Sequence, residues 1–251
     1  MREAAMTDPV YRTILLFDIE QYGSRDDVEQ AFLRRVLYDV VDSTLLTAAV
    51  DETARLRADR GDSVMELIDT AVPVPALVKT LLTETPALLH NKNRLLATSA
   101  RMRLRIVLSS GYVAVDDLDG WVGSDLNHAV RLLNSDPLRD ALKQRDSDCV
   151  LCVSEGVYQG VVRHGPLGVR PEEFHRVTVG TKEGPTVAWV HGGPGSTPGS
   201  PEARPDASGP DLPAPQRNDV RISGDQYGQV GGTHYGDQRF DFTRPGGDER
   251  R

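Results

Sequence analysis

The chain has 251 residues, 39% hydrophobic and 26% charged, enough for one large or two small domains with a real core. Its 29 Lys and Arg against 37 Asp and Glu give a formal net charge of −8, and no Lys/Arg-rich block stands out, so the electrostatic footprint of a nucleic-acid binder is missing. No apolar run approaches the ~20 residues that cross a bilayer, and the opening residues lack the apolar core of a signal peptide, so the expected setting is soluble and cytoplasmic, away from membranes.

Tyr11 to Asp18 carries the unbroken apolar run Ile14-Leu15-Leu16-Phe17, as a strand buried on both faces requires, and ends in acids. Phe32, Leu33, Val36, Leu37, Val40, Val41 and Leu45 recur at helical spacing, predicting a helix over 28–50. Ser63 to Ile68 alternates as a strand after Gly61-Asp62, and Val74 to Leu89 reads as a second amphipathic helix. Arg103 to Val115 reads as two strands broken at Ser109-Ser110-Gly111, and a third helix opens over Gly123 to Leu133. Further strands are expected at Asp148 to Val153, Phe174 to Val179 and Thr186 to Val190. This alternation argues an α/β or α+β sheet layered with helices. Cys149 and Cys152 fall on one of these strands, pointing to opposite faces, which excludes a disulfide framework. From Gly192 to Pro215, Gly and Pro supply 12 of 24 residues, too little apolar surface to offset ordering entropy. The organisation expected is a domain over 11–190, a disordered linker over 191–217 and a separate tail segment over 218–242.

Candidate chemistry starts with two acids at strand ends, Asp18 and Asp62. Carboxylates converging from adjacent strands can hold a hard cation such as Mg²⁺, with substrate phosphates completing its shell. The same positions also suit a helix cap at Asp18 and a hairpin turn at Asp62. Asn127 and Arg131 lie four apart and share a helix face, an amide and a guanidinium suited to charge developing on a phosphoryl group. Glu20 reads as a solvated residue past the strand end or a support for the metal site, His128 as a surface residue, and Trp121 as packing on the helix it precedes.

Taken in order, these segments resemble the class III nucleotide cyclase homology domain, over Tyr11 to Val190. The Asp18-Ile19 pair matches the family's first strand end, Gly61-Asp62 its inter-strand turn, and Gly123, Asn127 and Arg131 its Gly-x-x-x-Asn-x-x-x-Arg helix. The resemblance implies an α+β, ferredoxin-like sheet flanked by helices. It also implies a cyclase that converts a nucleoside triphosphate to a 3′,5′-cyclic nucleotide and pyrophosphate. By the same resemblance, two Mg²⁺ or Mn²⁺ ions are held by Asp18, the Ile19 backbone carbonyl and Asp62, and Asn127 and Arg131 contact ribose and transition-state phosphate. The two sets are contributed by different subunits of a homodimer. The family's purine-reading Lys and Asp are replaced by Ala58 and Gly120, which leaves Arg57, Asp119 and Asp125 as the candidate base contacts. Pyrimidine-specific cyclases of antiphage signalling depart at the same places. A degenerate nucleotide-binding or interaction module is the alternative.

Ile222-Ser-Gly-Asp-Gln-Tyr-Gly-Gln-Val-Gly-Gly in the tail resembles the amyloid-forming motifs, related to the RIP homotypic interaction motif, of bacterial signalling proteins. Stacked copies could form glutamine ladders, recruiting a partner with a like segment; a disordered low-complexity end is the other reading.

Overall fold

A computed structural model describes residues 8–116, 120–181 and 184–192. Residues 193–217 of the expected linker, the tail and Asp119 lie outside the described residues, while His191, expected to open the linker, is the last residue of the final strand.

Eight strands form one sheet: β1 (Val10–Ile19), β2 (Arg55–Asp59), β3 (Ser63–Ile68), β4 (Leu104–Val115), β5 (Trp121–Val122), β6 (Cys149–Ser154), β7 (Phe174–Thr181) and β8 (Gly184–His191). Their order is β2-β3-β1-β4-β6-β8-β7, with β5 pairing on β4. All pairs are antiparallel except β4 with β6, whose crossover carries β5 and two helices. β1 therefore lies inside the sheet, between β3 and β4. Its apolar run is continuous because both faces are covered: Leu15 and Phe17 join one buried cluster, Ile14 and Leu16 the other.

The first face is covered by α1 (Asp27–Thr47) and α2 (Val74–Asn93). Asp26 starts α1 by accepting the Glu29 N–H at 2.8 Å. The buried hydroxyls of Thr44 and Thr85 meet at 3.0 Å between the two helices. The second face is covered by α3 (Ser124–Leu133), through Leu126, Ala129, Leu132 and Leu133, and by α4 (Asp136–Lys143), through Leu138, Ala141 and Leu142. The short α5 (Glu155–Gly160), capped by Ser154, packs Val157 into the first cluster.

The break expected at Ser109-Ser110-Gly111 is not there. β4 runs unbroken through it, paired with β1 from Val10↔Val113 to Ile19↔Leu104. Gly111 lacks a side chain for another reason: a Cβ there would lie 2.2 Å from the Asp125 side chain. Cys149 and Cys152 do fall on opposite faces, one in each cluster.

Candidate active site

Strand register brings the two aspartates together. Asp18 is opposite Ser63 in the β1–β3 pair, and the Ile19 N–H donates to the Asp62 carbonyl at 3.0 Å, so Asp62 sits directly beside the end of β1. The helix-cap alternative for Asp18 falls away, because Asp18 lies within β1. Asp62 closes the β2–β3 turn, which depends on Gly61 at φ 86° and on Asp59 Oδ1 accepting the Gly61 N–H at 2.7 Å.

Asp18 points to the α3–α4 side of the sheet and is only 7% exposed. The Arg105 guanidinium, from the facing position on β4, donates to Asp18 Oδ2 through Nε at 3.0 Å and also through Nη2. Burial holds the Asp18 carboxyl above the usual carboxylate range; Arg105 opposes the rise without cancelling it, Asp62 adds to it, and Arg139 on α4 opposes it. Asp18 is thus a buried carboxylate oriented by Arg105 rather than an open surface acid. Glu20, at the strand's exit, accepts from Arg103 Nη1 at 3.2 Å, so it is not simply solvated.

Two carboxylates on adjacent strands, one raised in part by the other's charge, suit a divalent ion that relieves their repulsion. Both Arg105 hydrogen bonds fall on Oδ2 alone, and the Ile19 backbone lies against Asp62. Among the described residues no group of three or more His, Cys, Asp or Glu side chains is gathered to hold a metal. An ion here would take the two carboxylates with backbone, water or phosphate oxygens, as Mg²⁺ commonly does.

The second set of candidates rides on α3. Gly123 starts this helix by lending its carbonyl to the Asn127 N–H at 3.1 Å, and a Cβ on it would lie 2.6 Å from the Tyr112 carbonyl oxygen. Only glycine lets the helix begin this close to β4. Asn127 is exposed, and Arg131, half-buried one turn on, lines a cleft of about 660 Å³ at the α3–α4 junction.

Of the base-contact candidates among the described residues, Arg57 is turned away from this site and Asp125 is tied to β4. Arg57 projects from β2 to the opposite face of the sheet, toward α1. There its Nε donates to Glu66 Oε1 at 2.5 Å, its Nη2 to Asp42 Oδ1 at 2.6 Å, and its guanidinium lies 5.0 Å from the Tyr38 ring centre. Asp125 Oδ2 accepts the Tyr112 N–H at 2.7 Å, tying α3 to β4. Both residues were expected at a base because the usual readers are missing; both are engaged in structure instead. His128 is half-buried, and Trp121 packs against the α3-side cluster. Arg105 and Arg139 are the site residues that sequence reasoning missed. Arg105 carried a signal, since alternation along β4 places it on the same face as Val107, across from Asp18.

No protein-family model and no curated protein matches the sequence. Solved structures do. The chain is similar to the guanylyl cyclase Cya2, at 15% identity and TM-score 0.52, covering 77% of this chain and 97% of that one. It is similar to an adenylate/guanylate cyclase/hydrolase from Silicibacter pomeroyi, at 19% identity and TM-score 0.53, covering 74% and 98%. It is also similar to a bacterial light-regulated adenylyl cyclase, at 15% identity and TM-score 0.54, covering 75% of this chain and 53% of the other. The fold is that of the class III adenylate and guanylate cyclases.

Proposed function

We propose that this chain is a metal-dependent nucleotide cyclase acting as a homodimer on a nucleoside triphosphate, in intracellular signalling or antiphage defence. The observation that carries the reading is the juxtaposition of Asp18 and Asp62 at the end of β1, on a cyclase fold that also retains Asn127 and Arg131 on α3. Asp18, Asp62 and the Ile19 carbonyl are the groups that would hold Mg²⁺ or Mn²⁺. When bound, the ions would acidify the substrate 3′-hydroxyl and neutralise the departing pyrophosphate. Arg105 keeps the Asp18 carboxylate aimed. Arg131 offers a forked donor to the charge that builds on the α-phosphoryl group, and the Asn127 amide orients the ribose. Following the family resemblance, we assign the aspartates and the Asn–Arg pair of each site to different protomers. The tail segment 218–242 we assign to recruitment of a partner with a like segment.

Ala58 and Gly120 offer no side-chain donor or acceptor, and Arg57 and Asp125 are engaged elsewhere, so no base is excluded by the residues usually responsible. Purified protein is incubated with ATP, GTP, CTP and UTP in turn, with Mg²⁺ or Mn²⁺, and cyclic product is sought by mass spectrometry. Metal-dependent product from one of them is expected. Absence of product from all four, with a folded dimer, would refute the enzyme. The missing base readers favour a second reading, a cyclase fold serving as a nucleotide-binding or interaction module; it expects binding without turnover.

A further inference from the structure

Among the described residues the sheet ends on β2 at one side and on β7 at the other, and the two edges are built differently. β2 has 5 residues and carries Arg55, Arg57 and Asp59, each held in an ion pair, the kind of charged edge that discourages pairing with another chain. β7 has 8 residues, with no proline, no lysine and no acid among them. Along a strand the main-chain groups turn alternately to its two sides. The Trp189 N–H lies against Cys152 of β6, so Trp189 serves β6, and its neighbours Ala188 and Val190 serve β7 through Val177 and His175. Arg176 and Thr178 therefore turn their N–H and C=O groups outward, and both residues are exposed.

We infer that β7 is a self-association edge, pairing antiparallel with β7 of a second copy of this chain about a two-fold axis at Val177. The strand itself selects that partner and register. Outward-turned residues must meet outward-turned residues, so Arg176 falls opposite the second copy's Arg176, Thr178 or Gly180. Opposite itself, Arg176 sets like charges side by side, which is destabilising. Opposite Gly180, it slides the overlap past Thr181, where the strand ends. Opposite Thr178, it keeps Phe174 to Gly180 overlapped in both chains and sets Val177 against Val177, extending across the seam the α3-side cluster on which Val177 already packs. One surface then serves both copies, as a two-fold contact requires. The aspartates at the end of β1 are separated from β7 by β4, β6 and β8, so the pairing takes no residue from them and does not rest on the cyclase reading.

The mass of the full-length protein is measured by analytical ultracentrifugation over a wide range of concentration, for wild type, Thr178→Pro and Thr178→Ala. Proline at an edge position whose N–H faces outward keeps the strand and removes that donor from both copies. Thr178→Pro should weaken self-association by on the order of tenfold or more, the loss of a main-chain hydrogen bond from each side of the seam. Thr178→Ala keeps the N–H and should associate as wild type does. Circular dichroism checks each fold, and Val177→Cys gives a second measurement that disrupts nothing. Opposed residues of a non-hydrogen-bonded antiparallel pair lie close enough for a disulfide, and the native Cys149 and Cys152 are buried. Mild oxidation should link Val177→Cys into covalent dimers and leave wild type and Thr178→Cys unlinked. Three results overturn the assignment: equal masses for folded wild type and Thr178→Pro at every concentration, an equal loss in Thr178→Ala, or linkage through position 178 in place of 177. Equal masses together with cyclic product overturn the edge and leave the cyclase standing; linkage at 177 without cyclic product keeps the edge and removes the enzyme.

Discussion

Arg57→Ala should cost stability and leave nucleotide preference unchanged. Glu66 is fully buried, and one oxygen, Oε1, takes both Arg57 Nε at 2.5 Å and Arg55 Nη1 at 3.0 Å. Removing the partner of a buried charge costs about 3–5 kcal/mol when nothing replaces it. Arg55 remains, so roughly half of that, about 2 kcal/mol, is expected, with about 0.5 kcal/mol more for the lost contact over the Tyr38 ring. For a domain of this size the sum lowers Tm by about 5–10 °C. The effect should also depend on pH. Burial holds Glu66 above the usual carboxylate range despite both arginines. A raised folded-state value in an acid means that charging it costs stability; the cost is complete above that value and vanishes below the ordinary one. Deleting Arg57 raises the value further, so the deficit of the variant should be largest at pH above that raised value and shrink as pH falls toward the ordinary carboxylate range. Urea unfolding of both proteins across pH, with Arg57→Ala/Glu66→Gln as a partial rescue, measures it. Unchanged stability together with altered nucleotide preference would refute the reasoning and return Arg57 to the base.

Asp62→Ala should abolish metal-dependent turnover with little change in Tm, because Asp62 sits half-buried in the β2–β3 turn, outside the packed core; Asp18→Ala should also cost about 1–3 kcal/mol of stability, since it strands the nearly buried Arg105, and calorimetric scans of the two separate these outcomes. Asp62→Ala and Arg131→Ala, each inactive, should regain activity when mixed, because a heterodimer holds one site with both lesions and one with neither; absence of rescue with subunit exchange confirmed would place the site within one chain. Gly123→Ala should cost about 1–3 kcal/mol in thermal unfolding, from a Cβ 2.6 Å from the Tyr112 carbonyl oxygen. Deleting residues 193–251 should leave Tm and turnover nearly unchanged, since the last strand ends at His191 and the Gly192 N–H already donates to the Glu173 carbonyl at 2.6 Å.

What could be read from the sequence was what local pattern determines. β1 announced itself because both of its faces are buried, and α1, α2 and α3 because each buries one stripe. β2 escaped because Arg55, Arg57 and Asp59 look like loop residues; their charges are met by Glu66, Asp42 and Arg34, partners that only the folded sheet supplies. α4 was hidden by Asn134-Ser135-Asp136-Pro137, which reads as a turn yet serves as a helix start with Pro in its first turn. The paired aspartates and the α3 motif were legible as residues. Their surroundings were not: that Arg105 would clamp Asp18, that Asp125 would be taken by β4, and that Arg57 would face away are consequences of register and sheet side.

The two thiols of β6 give the fold a reporter on each of its layers. Burial pushes Cys149 up to about 11 and Cys152 up to about 12, so neither is a thiolate at neutral pH and both are shielded from alkylating reagents. Labelling therefore waits on local opening of the sheet. Because Cys149 looks into the α1–α2 layer and Cys152 into the α3–α4 layer, their separate alkylation rates time the detachment of one helical layer against the other, on a single strand and without any introduced probe.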